Sequence, residues 1–92
     1  MKHASATALD QLEALLGELR VLPGLVEKSR GVFYHRGRAF LHFHEDPKGL
    51  FADIRDASGH DFDRIDVTAT ADRIRLMDIA RERLVELGRA RA

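Results

Sequence analysis

Residues 31–55 read GVFYHRGRAFLHFHEDPKGLFADIR and contain five of the six Phe and Tyr residues of the chain, together with three of its five histidines. Apolar and polar side chains alternate on both sides of Arg36 and Gly37, and they alternate again after the turn cluster 45–49. A period of two is typical of β-strands that bury one face. A two-residue link with Gly in second place favours a tight hairpin. This segment therefore predicts three antiparallel strands.

Helical and strand patterns flank this segment on both sides. Leucines at helical spacing (Leu9, Leu12, Leu16 and Leu19) predict an N-terminal helix, and residues 70–87 predict a closing helix that Gly88 ends. Short strands are expected at 25–28 and 64–67. The chain thus predicts one α+β domain over residues 1–92: an antiparallel sheet of four to five strands with an N-terminal and a C-terminal helix on one face. We expect residues 1–6 to be disordered and residues 88–92 to form a loose tail.

The composition excludes several classes of function. Fifteen basic residues balance fifteen acidic ones, so no long-range field attracts nucleic acid or an anionic membrane. The chain has no cysteine, which excludes disulfides and sulfur-ligated metals. No apolar run reaches the roughly 18 residues of a membrane span, and residues 1–8 lack the apolar core of a signal peptide. We expect a cytoplasmic protein of bacterial type, with neither membrane nor nucleic acid as partner.

Alternation divides the predicted sheet into a face covered by the helices and an open face. If Arg36 and Gly37 form the turn, His35 lies opposite Arg38 and Phe33 lies opposite Phe40. The open face then carries a ligand or interface site made of Phe33, Phe40, Phe51, His42, His44, Asp53 and Arg55. An aromatic patch rimmed by polar groups is typical of an interface. The favoured function is a non-catalytic binding or self-association module without a cofactor, with a homodimer, a small ligand or a protein partner on this face.

The segment from His42 to His44 supports an alternative function. Residues two apart on a strand share a face, about 6.5–7 Å apart at the backbone, so both imidazoles can bind one metal ion. Asp53 or His35 on a neighbouring strand would supply a third ligand. Imidazoles with a carboxylate suit zinc, iron(II) or manganese. The alternative is therefore a divalent-metal site of His42, His44 and Asp53, with His35 as spare ligand, and it leaves catalysis open.

Two further functions receive less support from the residues. Aromatic and arginine side chains on a sheet face can stack single-stranded bases, which makes nucleic-acid binding a lesser alternative. Asp53 within the patch and the zero net charge argue against it. No nucleophile motif and no glycine-rich phosphate loop is present in the sequence. We therefore assign no catalytic residue and favour a protein without enzymatic activity.

Three segments of the chain resemble a known family: LPGLVEK (22–28), GVFYHRGRAFLHFHED (31–46) and GLFADIR (49–55). Together they resemble the small bacterial "luciferase family" domain. In that family a Leu-Pro-Gly opening leads to a strand pair, a His-x-His segment and a leucine-rich strand with Asp. The layout is also similar to the larger YjbR-like group. The resemblance covers roughly residues 12–55. It implies the α+β layout and marks His42, His44 and Asp53 as the matching positions, but it implies no substrate.

Overall fold

The computed structural model describes residues 1–90, which form six strands and three helices. In chain order these are β1 (Lys2–His3), α1 (Ala6–Gln11), α2 (Glu13–Arg20), β2 (Leu25–Ser29), β3 (Val32–His35), β4 (Arg38–Asp46), β5 (Gly49–Arg55), β6 (Phe62–Asp66) and α3 (Thr70–Ala90). Strands β2 to β6 are neighbours in sequence order, and each pair is antiparallel. The predicted α+β fold, with an open sheet and helices at both ends of the chain, is confirmed.

The N-terminal residues differ from the expected disordered segment, because β1 adds a sixth strand to the sheet. Strand β3 begins at Val32, opposite His42, so the same edge of β4 has no β3 partner beyond that point. Strand β1 fills this edge: Lys2 lies opposite Glu45 and His3 lies opposite His44. Pairing satisfies backbone groups that an exposed strand edge leaves open. The expectation for residues 1–6 is therefore wrong within this structure.

The helical regions also differ in detail from the prediction. The N-terminal helix is interrupted at Leu12, whose φ of −97° and ψ of 4° depart from the helical region. All four leucines of the predicted stripe are nevertheless buried in the core. Helix α3 continues through Gly88 to Ala90, so Gly88 does not end it and 88–90 are not a loose tail. Residues 91 and 92 of that predicted tail lie outside the described part of the chain.

A bulge in β4 changes the predicted register of the central hairpin. His35 lies opposite Arg38 as predicted, but Phe33 pairs with Leu41 and not with Phe40. Phe40 is thus the extra residue of β4, and one extra residue moves the side chains beyond it to the other face. Phe33 and Phe40 are both 0% exposed in the hydrophobic core. Their predicted position on the open face is wrong. Burying a Phe side chain is worth about 1.5–3 kcal/mol, which favours the bulged register.

Alternation along β4 and β5 follows the prediction beyond the bulge. Leu41 pairs with Ile54 and Phe43 pairs with Ala52, and all four are buried in the core that the helices share. Between these pairs His42 lies opposite Asp53. Residues that alternate with core positions face the opposite side of the sheet. The fold therefore presents His42, His44 and Asp53 together on the open face.

Candidate functional site

Three histidines from two strands converge on the open face, and we call them the histidine cluster: His3, His42 and His44. One possible ligand atom from each imidazole lies within 4.8 Å of the others. The ring centroids of His42 and His44 are 4.9 Å apart, and those of His3 and His44 are 5.0 Å apart. The predicted pair is thus brought together, and β1 adds a histidine that the sequence pattern did not indicate. A two-residue strand carries too little periodicity to be recognised from sequence.

The shortest contact in the cluster joins Nδ1 of His42 to Nε2 of His44, at 3.0 Å. In a tetrahedral zinc site with Zn–N distances of about 2.0–2.1 Å, two nitrogen ligands are about 3.3–3.4 Å apart. The two imidazoles therefore already lie near the separation that one metal ion requires. Without a metal, a single proton shared between the nitrogens makes this contact a hydrogen bond.

Asp53 supports the cluster from the neighbouring strand. Its Oδ2 atom is 3.1 Å from Nε2 of His44. Arg64 on β6 donates from Nε and Nη2 to the two carboxylate oxygens, each at 2.8 Å. These hydrogen bonds lower the pKa of Asp53 and outweigh its burial, which acts in the opposite direction. Asp53 is therefore an ionised carboxylate directed at Nε2 of His44, the same nitrogen that faces His42.

The lowered pKa of His42 suits metal binding, because a metal binds the neutral imidazole. Burial lowers the pKa of His42 below its ordinary value, and the nearby His44 lowers it further, although Asp53 opposes both. The Nδ1 atom of His44 is buried and has no hydrogen-bond partner among the described residues. A buried N–H without an acceptor is costly, so in the metal-free chain this geometry favours the tautomer of His44 with its N–H at Nε2, next to Asp53. His42 then keeps a lone pair on Nδ1.

The remaining predicted site residues are spread over the sheet. His35 lies at the hairpin end of β3, where its ring centroid is 6.0 Å from that of Phe40, and it is not part of the histidine cluster. Phe51 is partly buried opposite His44. Arg55 lies opposite Phe62 and places its guanidinium 4.7 Å from that ring. Phe33 and Phe40, both in the core, cannot belong to an exposed patch.

Phe62 joins the open face although the strand predicted from the sequence begins only at residue 64. Its ring centroid is 5.2 Å from that of His42, and the residue is 37% exposed. Strand β6 begins two residues earlier than predicted, which places Phe62 opposite Arg55. The alternation of Phe62, Arg64 and Asp66 was a usable signal for this placement.

Comparisons with protein-family models, with curated proteins and with solved structures found no match to this chain. The resemblance to the luciferase-family domain and the YjbR-like group stays a prediction. Within residues 1–90, none of the helices combines the length and the apolar character that crossing a membrane requires.

Proposed function

We propose that this domain binds one divalent transition-metal ion through the imidazoles of His3, His42 and His44. The observation that carries the proposal is the 3.0 Å distance between Nδ1 of His42 and Nε2 of His44, with a ligand atom of His3 within 4.8 Å of both. Two of the ligands are those of the alternative predicted from sequence. His3 takes the place of the predicted third ligand Asp53 and of the spare ligand His35, which lies at the hairpin end of β3.

The donor set indicates the class of metal. Imidazole nitrogens suit zinc, copper, nickel and iron(II), whereas carboxylate and carbonyl oxygens suit magnesium and calcium. Three protein ligands leave a position for water, which is the arrangement that catalytic zinc sites keep open and structural sites close. Zinc is accordingly the first metal to test. No reaction is assigned to the site.

Asp53 and Arg64 have a supporting role in this proposal. Metal binding at Nε2 of His44 needs the lone pair of that nitrogen, so the single proton of the neutral ring then lies on Nδ1. Because protons compete with the metal for imidazole nitrogens, binding weakens as the pH falls. The carboxylate then offsets part of the positive charge of the ion. Because Arg64 binds both carboxylate oxygens, Asp53 is held in place for this role. We classify Asp53 as a positioning residue and not as a ligand.

The open face also supports a second candidate function, the self-association or partner-binding module favoured by the sequence. The specific observation is Phe62, a large apolar side chain that is 37% exposed beside His42. The burial of Phe33 and Phe40 removes most of the aromatic surface on which that prediction depended. Metal binding is therefore the better supported function.

Native mass spectrometry and zinc titration calorimetry on protein purified without an affinity tag test both candidates. We expect one zinc ion per chain, lost on treatment with a chelator. His42→Gln and His3→Gln should each weaken zinc binding by more than about tenfold, since even partners of the ligands cost about 10–100-fold. The matched control is His60→Gln, because His60 is an exposed histidine of the loop after β5.

The outcomes separate the two candidates. Zinc affinity unchanged in His42→Gln, or weakened equally in His60→Gln, would refute the proposed site. A metal-free dimer that Phe62→Ala converts to a monomer would favour the self-association function in its place.

A further inference from the structure

A cavity lies away from the histidine cluster, at the turn end of the β3–β4 hairpin. It has a volume of about 190 Å³ and lies between the β3–β4 turn, the loop after β5 and the C-terminal part of α3. Three arginines line it together with apolar and backbone groups. We call it the arginine pocket, after Arg36, Arg38 and Arg55.

The positive charge of the arginine pocket is not neutralised by carboxylates. Among the ion pairs formed within residues 1–90, none includes Arg36, Arg38 or Arg55. Other arginines of the chain do pair with carboxylates, among them Arg20, Arg30, Arg64 and Arg83. In a chain of zero net charge, three unpaired guanidinium groups around one cavity form a local excess of positive charge.

Backbone carbonyls hold two of the guanidinium groups in position. Arg38 and Arg55 both donate to the carbonyl oxygen of Gly59, at 2.8 and 2.9 Å. Arg55 also donates from Nε to the carbonyl oxygen of Ala39, at 2.7 Å. A guanidinium carries five N–H groups. Hydrogen bonds within the described chain use one N–H group of Arg38 and two N–H groups of Arg55. Both groups are thus oriented, and both keep donors for a ligand.

The electrostatics agree with a site that accepts an anion. Burial lowers the pKa of Arg55, and the adjacent positive charge of Arg38 lowers it further, while Asp56 has the opposite effect. The folded chain therefore holds two like charges close together at a partly desolvated position. An anion between them would offset this repulsion.

The other wall of the pocket is apolar. Phe40 and Leu87 both line it, and both belong to the hydrophobic core. An engineered apolar cavity of about 150 Å³ holds benzene, so a cavity of about 190 Å³ has room for a molecule slightly larger than one aromatic ring.

We propose that the arginine pocket binds a small organic carboxylate, with its carboxylate against Arg38 and Arg55 and its apolar body against Phe40 and Leu87. The planar guanidinium group matches carboxylate geometry with two parallel hydrogen bonds. The apolar wall favours such a ligand over inorganic phosphate, which has no apolar part. This site is independent of the metal proposal, because none of its lining residues belongs to the histidine cluster.

Amide NMR titrations with benzoate, benzamide and inorganic phosphate at constant ionic strength test this proposal. Benzamide is the matched neutral probe, because it has nearly the shape of benzoate without the charge. We expect saturable shifts for Gly59 and Phe40 with benzoate, much smaller shifts with benzamide, and weaker binding of phosphate. Arg38→Gln should reduce benzoate affinity about tenfold, the usual cost of one hydrogen bond to a charged group.

Two further variants keep the test independent of folding defects. Arg36→Asn removes a charge at the turn, where φ is +52° and Asn is well tolerated, and it should also weaken benzoate binding. Arg81→Gln removes the same charge from the exposed side of α3 and should leave binding unchanged. Equal binding of benzoate and benzamide, tighter binding of phosphate, no response to any probe, or undiminished benzoate affinity in both pocket variants would overturn the proposal.

Discussion

Arg64 binds both carboxylate oxygens of Asp53 from the adjacent strand, with two hydrogen bonds of 2.8 Å. Asp53 is only 8% exposed, so this clamp lets a nearly buried carboxylate remain ionised on the open face. The same carboxylate contacts His44. The clamp therefore connects the edge strand β6 to the histidine cluster.

The clamp predicts a loss of stability in acid. Arg64 lowers the pKa of Asp53 below its ordinary value of 3.8, so the unfolded chain binds this proton before the folded one does. The stabilisation is complete above about pH 4–5 and is lost as the pH falls through the lower folded-state pKa. Arg64→Gln should reduce this acid-dependent part of the free energy of unfolding, measured by urea titration from about pH 5 downward. Arg81→Gln removes an exposed arginine of α3 and should not.

His42 predicts a separate pH dependence near neutrality. Its folded-state pKa is lower than the ordinary value of 6.5, mainly because the ring is partly buried. The unfolded chain therefore binds the proton first, and the free energy of unfolding decreases as the pH falls from about 6.5 through the folded-state pKa. His42→Gln should flatten this slope in chelator-treated protein, whereas His60→Gln should retain it. A slope that is unchanged in His42→Gln would contradict the assignment.

The bulge predicts that Phe40 is a core residue and not part of an interface. Phe40→Ala should lower the free energy of unfolding by about 3–5 kcal/mol, the usual range for a buried Phe. Phe62→Ala removes the same group from a partly exposed position and should cost about 1 kcal/mol or less. Guanidinium unfolding of both variants measures the difference. Equal effects would mean that Phe40 is not enclosed as the structure indicates.

Metal binding should stabilise the docking of strand β1, because the proposed metal ligand His3 lies on that strand. The amide of Ala4 donates to the carbonyl oxygen of Phe43 at 3.1 Å, so its hydrogen exchange reports the docking of β1 on β4. We expect saturating zinc to slow this exchange, since a ligand that binds only the docked state favours it. His3→Gln should abolish the effect while zinc-free exchange stays similar. Equal slowing in His3→Gln would show that zinc does not bind through β1.

Local sequence patterns predicted most of the strands and helices and part of the candidate site. The tight turn at Arg36 and Gly37, with φ of +52° and +79°, follows from the glycine in second place, although Arg is not a residue type that favours positive φ. His42 and His44 share a face because they are two residues apart on one strand. The opposition of His42 and Asp53 likewise follows from the turn between β4 and β5. These relationships depend on residues close in sequence, so periodicity and turn chemistry predict them.

The position of the aromatic residues and the third histidine of the cluster depend on the tertiary structure. The bulge at Phe40 forms because burying Phe33 and Phe40 together is more favourable than regular pairing of the strands. The alternation of apolar and polar residues does not reveal this difference in packing energy. His3 reaches His44 because the pairing of β3 with β4 stops at Val32 and leaves the rest of that edge of β4 open to β1, although His3 and His44 are far apart in sequence. The sequence by itself thus determined strands β2 to β6, the helical regions and the pair His42–His44. Long-range packing and edge pairing determined which aromatic residues are buried and which third histidine completes the cluster.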